Sequence, residues 1–254
     1  MIDPLFNRKL TFRRRWKHAI FLLLRIWVVP TLRVLIRFKI HGLQNVPKRG
    51  GALVIGNHVH NSDPILMLAA SPRPVLWMAK EEVWSLPVLR WFATQAGAFP
   101  VRRGTFDRDA IRTAVDTIQE GLLVGMFPEG TRSTTGGLKE PYAGASLVAL
   151  RSGAPIIPCV IVGSEDLPFD SKAGRARREK RIYPKVEVWF GEPFMLRARA
   201  DDGRRYSMAE LTDAMMIELA RLLPEAMRGI YGGERSACSH PAVTREGIRF
   251  PGAD

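Results

Sequence analysis

Short, unbroken apolar runs alternate along this chain with stretches of helical period. Ala52–Gly56 reads ALVIG, apolar at every position, which marks a strand covered on both faces. The same character predicts strands at Val75–Ala79, Ala98–Val101, Leu122–Phe127, Ile156–Val162 and Val186–Phe190. Between them the pattern turns helical. Asp63–Ala70 has Pro64 where a first helical turn tolerates it. Leu86–Ala96 reads as a helix. Phe106–Glu120 carries Asp107 and Asp109 in its first turn, Ile111, Val115, Ile118 and Leu122 at helical spacing, and Gly121 at its end. Ala143–Arg151 is closed by Gly153, and Met208–Leu223 sets Leu211, Met215, Leu219 and Leu222 on one face. Strand and helix in alternation predict an α/β fold, a largely parallel sheet flanked by helices, with the site on loops leaving the strands. From Tyr231 the chain turns Gly-, Pro- and polar-rich and reads as a loosely ordered tail.

The amino terminus departs from this alternation. Residues 19–38, AIFLLLRIWVVPTLRVLIRF, are apolar but interrupted by Arg25 and Arg33, and Pro30 should break or kink a helix. A spanning helix needs about 20 mostly apolar residues, whereas the longest uncharged stretch here, Ile26–Leu32, has seven. No small-residue cleavage site follows, so the segment does not read as a signal peptide. Two short helices lying in a headgroup layer fit best, with arginines reaching towards phosphates and Trp27 near the interface. The alternative is a buried helix pair of a soluble domain. The chain divides into residues 1–36, a main domain over 37–230 and a tail over 231–254.

Charge sharpens this picture. The 254 residues hold 38 Lys and Arg against 25 Asp and Glu, a net charge of +13, with 46% hydrophobic residues. Such a chain is drawn to polyanions, whether nucleic acid, anionic membrane or phosphorylated substrate. The excess is local: residues 1–40 carry +9 and Lys172–Arg181 carry +5, which leaves the rest at −1. A basic segment fused to apolar helices favours an anionic membrane face over nucleic acid. The run Lys172–Arg181 has no apolar period and reads as an exposed loop, either solvated or in contact with headgroups or an acidic carrier protein. The two cysteines, Cys159 and Cys238, fit a reducing compartment better than a disulfide.

Three strand ends carry candidate chemistry. After ALVIG comes Asn57-His58-Val59-His60-Asn61-Ser62-Asp63-Pro64. An aspartate five positions after a histidine meets it across a turn, fixes its tautomer and leaves the other nitrogen as a general base. Asp63 is equally placed to cap a helix, and His58 alone would pass as structural. Phe127-Pro128-Glu129-Gly130-Thr131-Arg132-Ser133 sets a carboxylate, a flexible glycine, a hydroxyl and a guanidinium after another buried strand. Arg132 suits a phosphate bidentately, and Thr131 adds a donor; the plain alternative is a surface turn with a Glu–Arg pair. Arg102 and Arg103, before Gly104, end a third strand and again suit an anion. His60 raises a metal site as an alternative, but Asp63 falls three positions after it, and too few further histidines are available as ligands.

Taken together, these segments resemble the 1-acyl-sn-glycerol-3-phosphate (lysophosphatidate) acyltransferase family. Asn57, His58 and Asp63 match its Asn-His-x4-Asp motif, Phe99 to Gly104 its second motif, Phe127–Ser133 its Phe-Pro-Glu-Gly-Thr-Arg-Ser motif, and Ala154–Val160 its apolar, proline-centred fourth. Lys139 and Gly144 match a lysine before a glycine-led helix. The resemblance spans roughly residues 37 to 195 and implies a glycerolphosphate-acyltransferase-like fold, and the basic, apolar amino terminus is similar to the family's membrane-docking helices. The resemblance implies transfer of an acyl chain from acyl-CoA or acyl-carrier protein to the sn-2 hydroxyl of lysophosphatidate, at the cytoplasmic face of the cell membrane. His58 would be the base, oriented by Asp63. Arg102 or Arg103, with Thr131 and Arg132, would hold the acceptor phosphate; Glu129 would organise that pocket, and Gly130 would admit close backbone approach. Neither cysteine lies in the three polar motifs, so direct attack without a covalent intermediate is expected, with no metal and no cofactor besides the acyl donor. The expected partners are anionic membrane lipids, a lysophospholipid acceptor and the donor carrier, not nucleic acid. Other readings are an acyltransferase for another lysolipid or a glycolipid, a non-enzymatic basic binding module, and a metal-dependent hydrolase.

Overall fold

In the computed structural model of the chain the apolar runs lie side by side. The structure describes residues 25–81, 98–101, 107–167 and 184–253, with Phe21, Ser85 and Arg90 as single residues. The predicted helix Leu86–Ala96, apart from Arg90, and the basic run Lys172–Arg181 lie outside the described residues. The strands are β1 (Lys39–His41), β2 (Ala52–Gly56), β3 (Val75–Lys80), β4 (Phe99–Val101), β5 (Leu123–Met126), β6 (Ile156–Val162) and β7 (Glu187–Phe190). They form one seven-stranded sheet in the order β1-β7-β6-β2-β5-β3-β4. Val54 at its centre pairs with Gly125 on one side and Ile157 on the other, both in parallel ladders. Among the described strands of this sheet, only β6 and β7 pair antiparallel, so β7 and β1 run opposite to the other five. A separate antiparallel pair joins β8 (Met195–Leu196) to β9 (Val243–Thr244).

Helices cover both faces, which is why β2 has no polar position. The helices are α1 (residues 25–36), α2 (Asp63–Ala70), α3 (Arg108–Gln119), α4 (Gly144–Ser152) and α5 (Met208–Leu222). Leu53 and Ile55 point to one side, into a core shared with α3, α4 and α5. Ala52 and Val54 point to the other, against α2, with Leu32 and Ile36 of α1 packed alongside. The period-2 alternation of a strand thus feeds two cores at once. Boundaries follow local chemistry. The Asp107 carboxylate accepts from the Ala110 N–H and starts α3, and Gly153, at φ 61°, ends α4 in the left-handed region. Gly125 is needed in β5 because a Cβ there would lie 2.5 Å from the indole of Trp77, which lies flat across the sheet.

Two expectations are corrected. Pro30 does not divide α1: residues 25–36 are helical without a break. The proline costs the carbonyl of Ile26 its usual donor, while the next carbonyl, of Trp27, accepts from Thr31 Oγ1 at 2.8 Å. Nor is the segment after Tyr231 loosely ordered. Tyr231 is fully buried and its hydroxyl donates to Asp213, whose two carboxylate oxygens both accept from Arg235. Further on, Val243–Thr244 forms β9, and the Pro251 carbonyl accepts from Gly51 N–H. The polar composition here reflects specific pairing, which composition alone does not reveal. Among the described residues no helix is long and apolar enough to cross a membrane.

Candidate active site

The polar loops after β2 and β5 leave neighbouring parallel strands and meet at their carboxyl ends. Asn57 opens the first. Its amide donates to the Ile161 carbonyl and its side-chain oxygen accepts from the Ile161 N–H, each at 2.9 Å, so a side chain continues the β2–β6 ladder where the backbone turns away. His58 follows, with Nδ1 2.9 Å from Asp63 Oδ2. That oxygen also accepts the N–H groups of Val59 and His60, each at 2.7 Å. Asp63 is completely buried as the first residue of α2. An ionised carboxylate with such donors can only accept, so the proton of His58 sits on Nδ1 and Nε2 carries the free lone pair.

The imidazole is held by packing as well. It stacks on Phe127 with ring centroids 4.3 Å apart, and Phe127 stacks on Trp77 at 4.5 Å. Three rings from the ends or interiors of β2, β5 and β3 thus form one slab. No spacing rule pointed to Trp77, because only the β3–β5 register brings it beneath Phe127. His60 does not share this arrangement: its Nδ1 meets Ser62 Oγ at 2.5 Å. Among the described residues no group of three or more His, Cys, Asp and Glu side chains comes together as a ligand set.

The loop after β5 is tied to the histidine loop through buried groups. Glu129 is 1% exposed. Its Oε1 accepts from the His58 N–H at 3.3 Å and its Oε2 from the Lys139 N–H at 3.2 Å. Burial nevertheless pushes its carboxyl up to about 7, against the pull of those two donors. Ser133 N–H donates back to the His58 carbonyl at 2.7 Å, and Lys139 Nζ donates to the Arg132 carbonyl at 3.1 Å. Gly130 stands at φ 67°, and a Cβ there would fall 2.8 Å from the Tyr142 ring. Thr131 is exposed and Arg132 half-buried on the same turn. The structure therefore gathers His58, Asp63, Glu129, Gly130, Thr131 and Arg132 at one end of the sheet. Arg102 and Arg103 lie outside the described residues; β4, which precedes them, ends at Val101 on the same end of the sheet.

A doubly covered α/β sheet with a His–Asp pair at a central strand end, facing a Pro-Glu-Gly-Thr-Arg turn, defines an acyltransferase-type domain. A family model described as Acyltransferase matches residues 37–162, which contain this entire site. Residues 37–162 of the chain belong to that acyltransferase family. It is 28% identical over 163 residues to a chloroplastic 1-acyl-sn-glycerol-3-phosphate acyltransferase of Brassica napus, covering 63% of this chain and 45% of the relative. To the 1-acyl-sn-glycerol-3-phosphate acyltransferase of Bacillus subtilis it is 27% identical over 179 residues, 70% of this chain and 83% of the relative. The chain spans about half the length of several curated relatives it matches. In fold it is similar to the crystal structure of the 1-acyl-sn-glycerophosphate acyltransferase of Thermotoga maritima, with a TM-score of 0.61 and 21% identity over 82% of this chain and 80% of that one.

Proposed function

We propose that this protein transfers an acyl chain from acyl-CoA or acyl-carrier protein to the sn-2 hydroxyl of lysophosphatidate, giving phosphatidate. The observation that carries this reading is the 2.9 Å contact between His58 Nδ1 and buried Asp63 at the carboxyl end of β2. In the proposed reaction Nε2 of His58 removes the hydroxyl proton while the oxygen attacks the thioester carbonyl. Asp63 stabilises the imidazolium that forms. When the tetrahedral intermediate collapses, the C–S bond breaks and the imidazolium returns its proton to the departing thiolate. The balance needs no enzyme nucleophile, and Cys159 is unsuited to be one, since burial pushes its thiol far up.

Arg132 and Thr131, with Arg102 or Arg103, are assigned to the acceptor phosphate. Glu129 is assigned to fix the Arg132 turn relative to His58, in keeping with its bonds to both loops. The amino-terminal segment is assigned to dock the enzyme on an anionic membrane, at its cytoplasmic face, through helices that lie in the interface. Support comes from the exposed Trp27, Val34 and Leu35 of α1. Purified protein assayed with labelled acyl-CoA and acyl-carrier protein against a panel of lysolipids tests the reading. Phosphatidate formation that is lost in His58→Ala supports it. Preference for a different lysolipid or a glycolipid would reassign the acceptor, and the absence of transfer to every acceptor would overturn it.

A further inference from the structure

The hydrogen bond to Asp63 fixes one point of the His58 ring and leaves its plane open. Nδ1 lies 2.9 Å from Asp63 Oδ2, but a hydrogen bond keeps most of its strength through about 30° of tilt. The χ2 torsion of a histidine is broad as well, so no rotamer well sets the plane. The lone pair of Nε2 lies in that plane, and the plane therefore decides where the ring aims.

The stack supplies the missing restraint. His58 and Phe127 lie 21° from parallel with centroids 4.3 Å apart, and Phe127 and Trp77 lie 14° from parallel at 4.5 Å. Phe127 stands just past the end of β5 and is only half-buried, so it needs a backing of its own. Trp77 provides one. It is 4% exposed and pairs with Gly125 across the β3–β5 ladder. A Cβ at Gly125 would lie 2.5 Å from Cδ2 and Cε3 of the indole, so the missing side chain is what lets the ring lie flat and reach Phe127, two positions on. Glycine weakens the interior of a strand; β5 accepts that cost between two neighbours to make room for this ring. Among the described residues Nε1 of Trp77 has no hydrogen-bond partner, and the contact the indole does make is through its face. Such a backing suits a base. A polar neighbour would compete for the proton in transit, whereas a ring face neither gives nor takes one and packs on the imidazole in its neutral and charged forms alike.

We propose that Trp77 is a positioning residue for the His58 base: acting through Phe127, its ring sets the plane of the imidazole and so the aim of Nε2. The inference rests on the assignment of His58 as the base of acyl transfer.

Three single variants test it, each assayed below its own unfolding transition. Trp77→Phe keeps an aromatic face, Trp77→Met fills the space without one, and Gly125→Ala displaces the indole while leaving it in the chain. Trp77→Met and Gly125→Ala should each lose about thirtyfold in kcat, within the hundredfold that an ångström of misplacement costs, with both KM values held. Trp77→Phe should stay within about threefold of the parent. Phe127→Leu should lose as much as Trp77→Met, and combining the two should cost nothing further, because they interrupt one chain of contacts. Equal losses in Trp77→Phe and Trp77→Met, an effect on KM alone, an unchanged kcat in Trp77→Met and Gly125→Ala, or losses that multiply in the double variant would overturn the inference. A second readout needs no turnover. In proton magnetic resonance the ring protons of His58, assigned by their loss in His58→Gln, should lie upfield in the parent under the ring current of Phe127. They should stay there in Trp77→Phe and move back towards the free-histidine position in Trp77→Met; a signal unmoved in Trp77→Met would mean that Phe127 holds His58 unaided. If the parent transfers no acyl chain to any acceptor, the acyltransferase reading fails by itself, and the resonance measurement still decides whether Trp77 sets the plane of the ring.

Discussion

The two ends of the sheet solve the same problem with opposite charges. At the amino ends of β2, β3 and β5, Arg73 gathers three carbonyls: those of Pro47 and Gly50 through Nη1 and that of Gly121 through Nη2, at 2.8 to 2.9 Å. The last residues of the chain close over them, with Pro251 bonded to Gly51 and a tight approach of Gly252 to Gly121. At the carboxyl ends Asp63 gathers two N–H groups and the imidazole of His58. Both are buried or half-buried ions satisfied mainly by backbone, which is how a protein keeps a charge near its core. The difference lies in the last partner. Each bond of Arg73 ends on a carbonyl and does nothing further. One bond of Asp63 ends on a titratable ring, whose far nitrogen is left with a lone pair. The proposed chemistry lies at the end where the ion's bonds are not all spent on the main chain.

Substitutions separate the two ends by what they remove. His58→Ala should lower the acyl-transfer rate about a thousandfold. Its thermal unfolding should scarcely move, because the His58 bonds to Glu129 and Ser133 are made by backbone atoms. A variant that unfolds early instead would make His58 structural, like Arg73. Glu129 gives a stability effect of opposite sign to that of most carboxylates. Its folded value of about 7 lies above the ordinary 4.5, so the folded state holds the proton more tightly. Its contribution is full below pH ~4.5 and is lost as pH rises through ~7, by up to roughly 3 kcal/mol. Glu129→Gln should flatten that part of the profile, measured by denaturant unfolding across the range. An unchanged slope would remove Glu129 as its source.

Asp63→Asn should cost on the order of a hundredfold in rate by misplacing the His58 proton, with a shifted pH–rate profile as the readout that a purely structural role would not give. Arg73→Ala should do the reverse. It strands three carbonyls and should lose about 2 kcal/mol of stability while kcat stays near the parent value below the unfolding transition. Smallest, Arg132→Ala should raise the acceptor KM about tenfold, the value of one good phosphate contact, and leave the donor KM alone. A donor-only effect would place Arg132 elsewhere in the reaction.

Much of this was legible residue by residue. The ALVIG run named a strand covered on both faces, and its two cores are the reason. His58 and Asp63 were placed by a five-residue spacing across a turn, a local geometry that any packing must respect. Glu129 was visible as a motif residue, but its bond to the His58 backbone depends on β2 and β5 being neighbours. Trp77 and Arg73 gave no signal, since each acts on segments distant in sequence. Pro30 and the polar tail misled for a related reason. Propensity argues from the chain alone, and packing on α2 and around Tyr231 and Asp213 overrode it.

By itself, then, the sequence determined the elements, the layered α/β class, the pairing of His58 with Asp63, and the uneven spread of a +13 charge. These follow from period, spacing and composition, which are local or additive. Only the tertiary structure decided which strand ends lie together, that aromatic rings back the histidine, and that burial raises Glu129. Those properties depend on distances between residues far apart in the chain, and strand order and register set those distances.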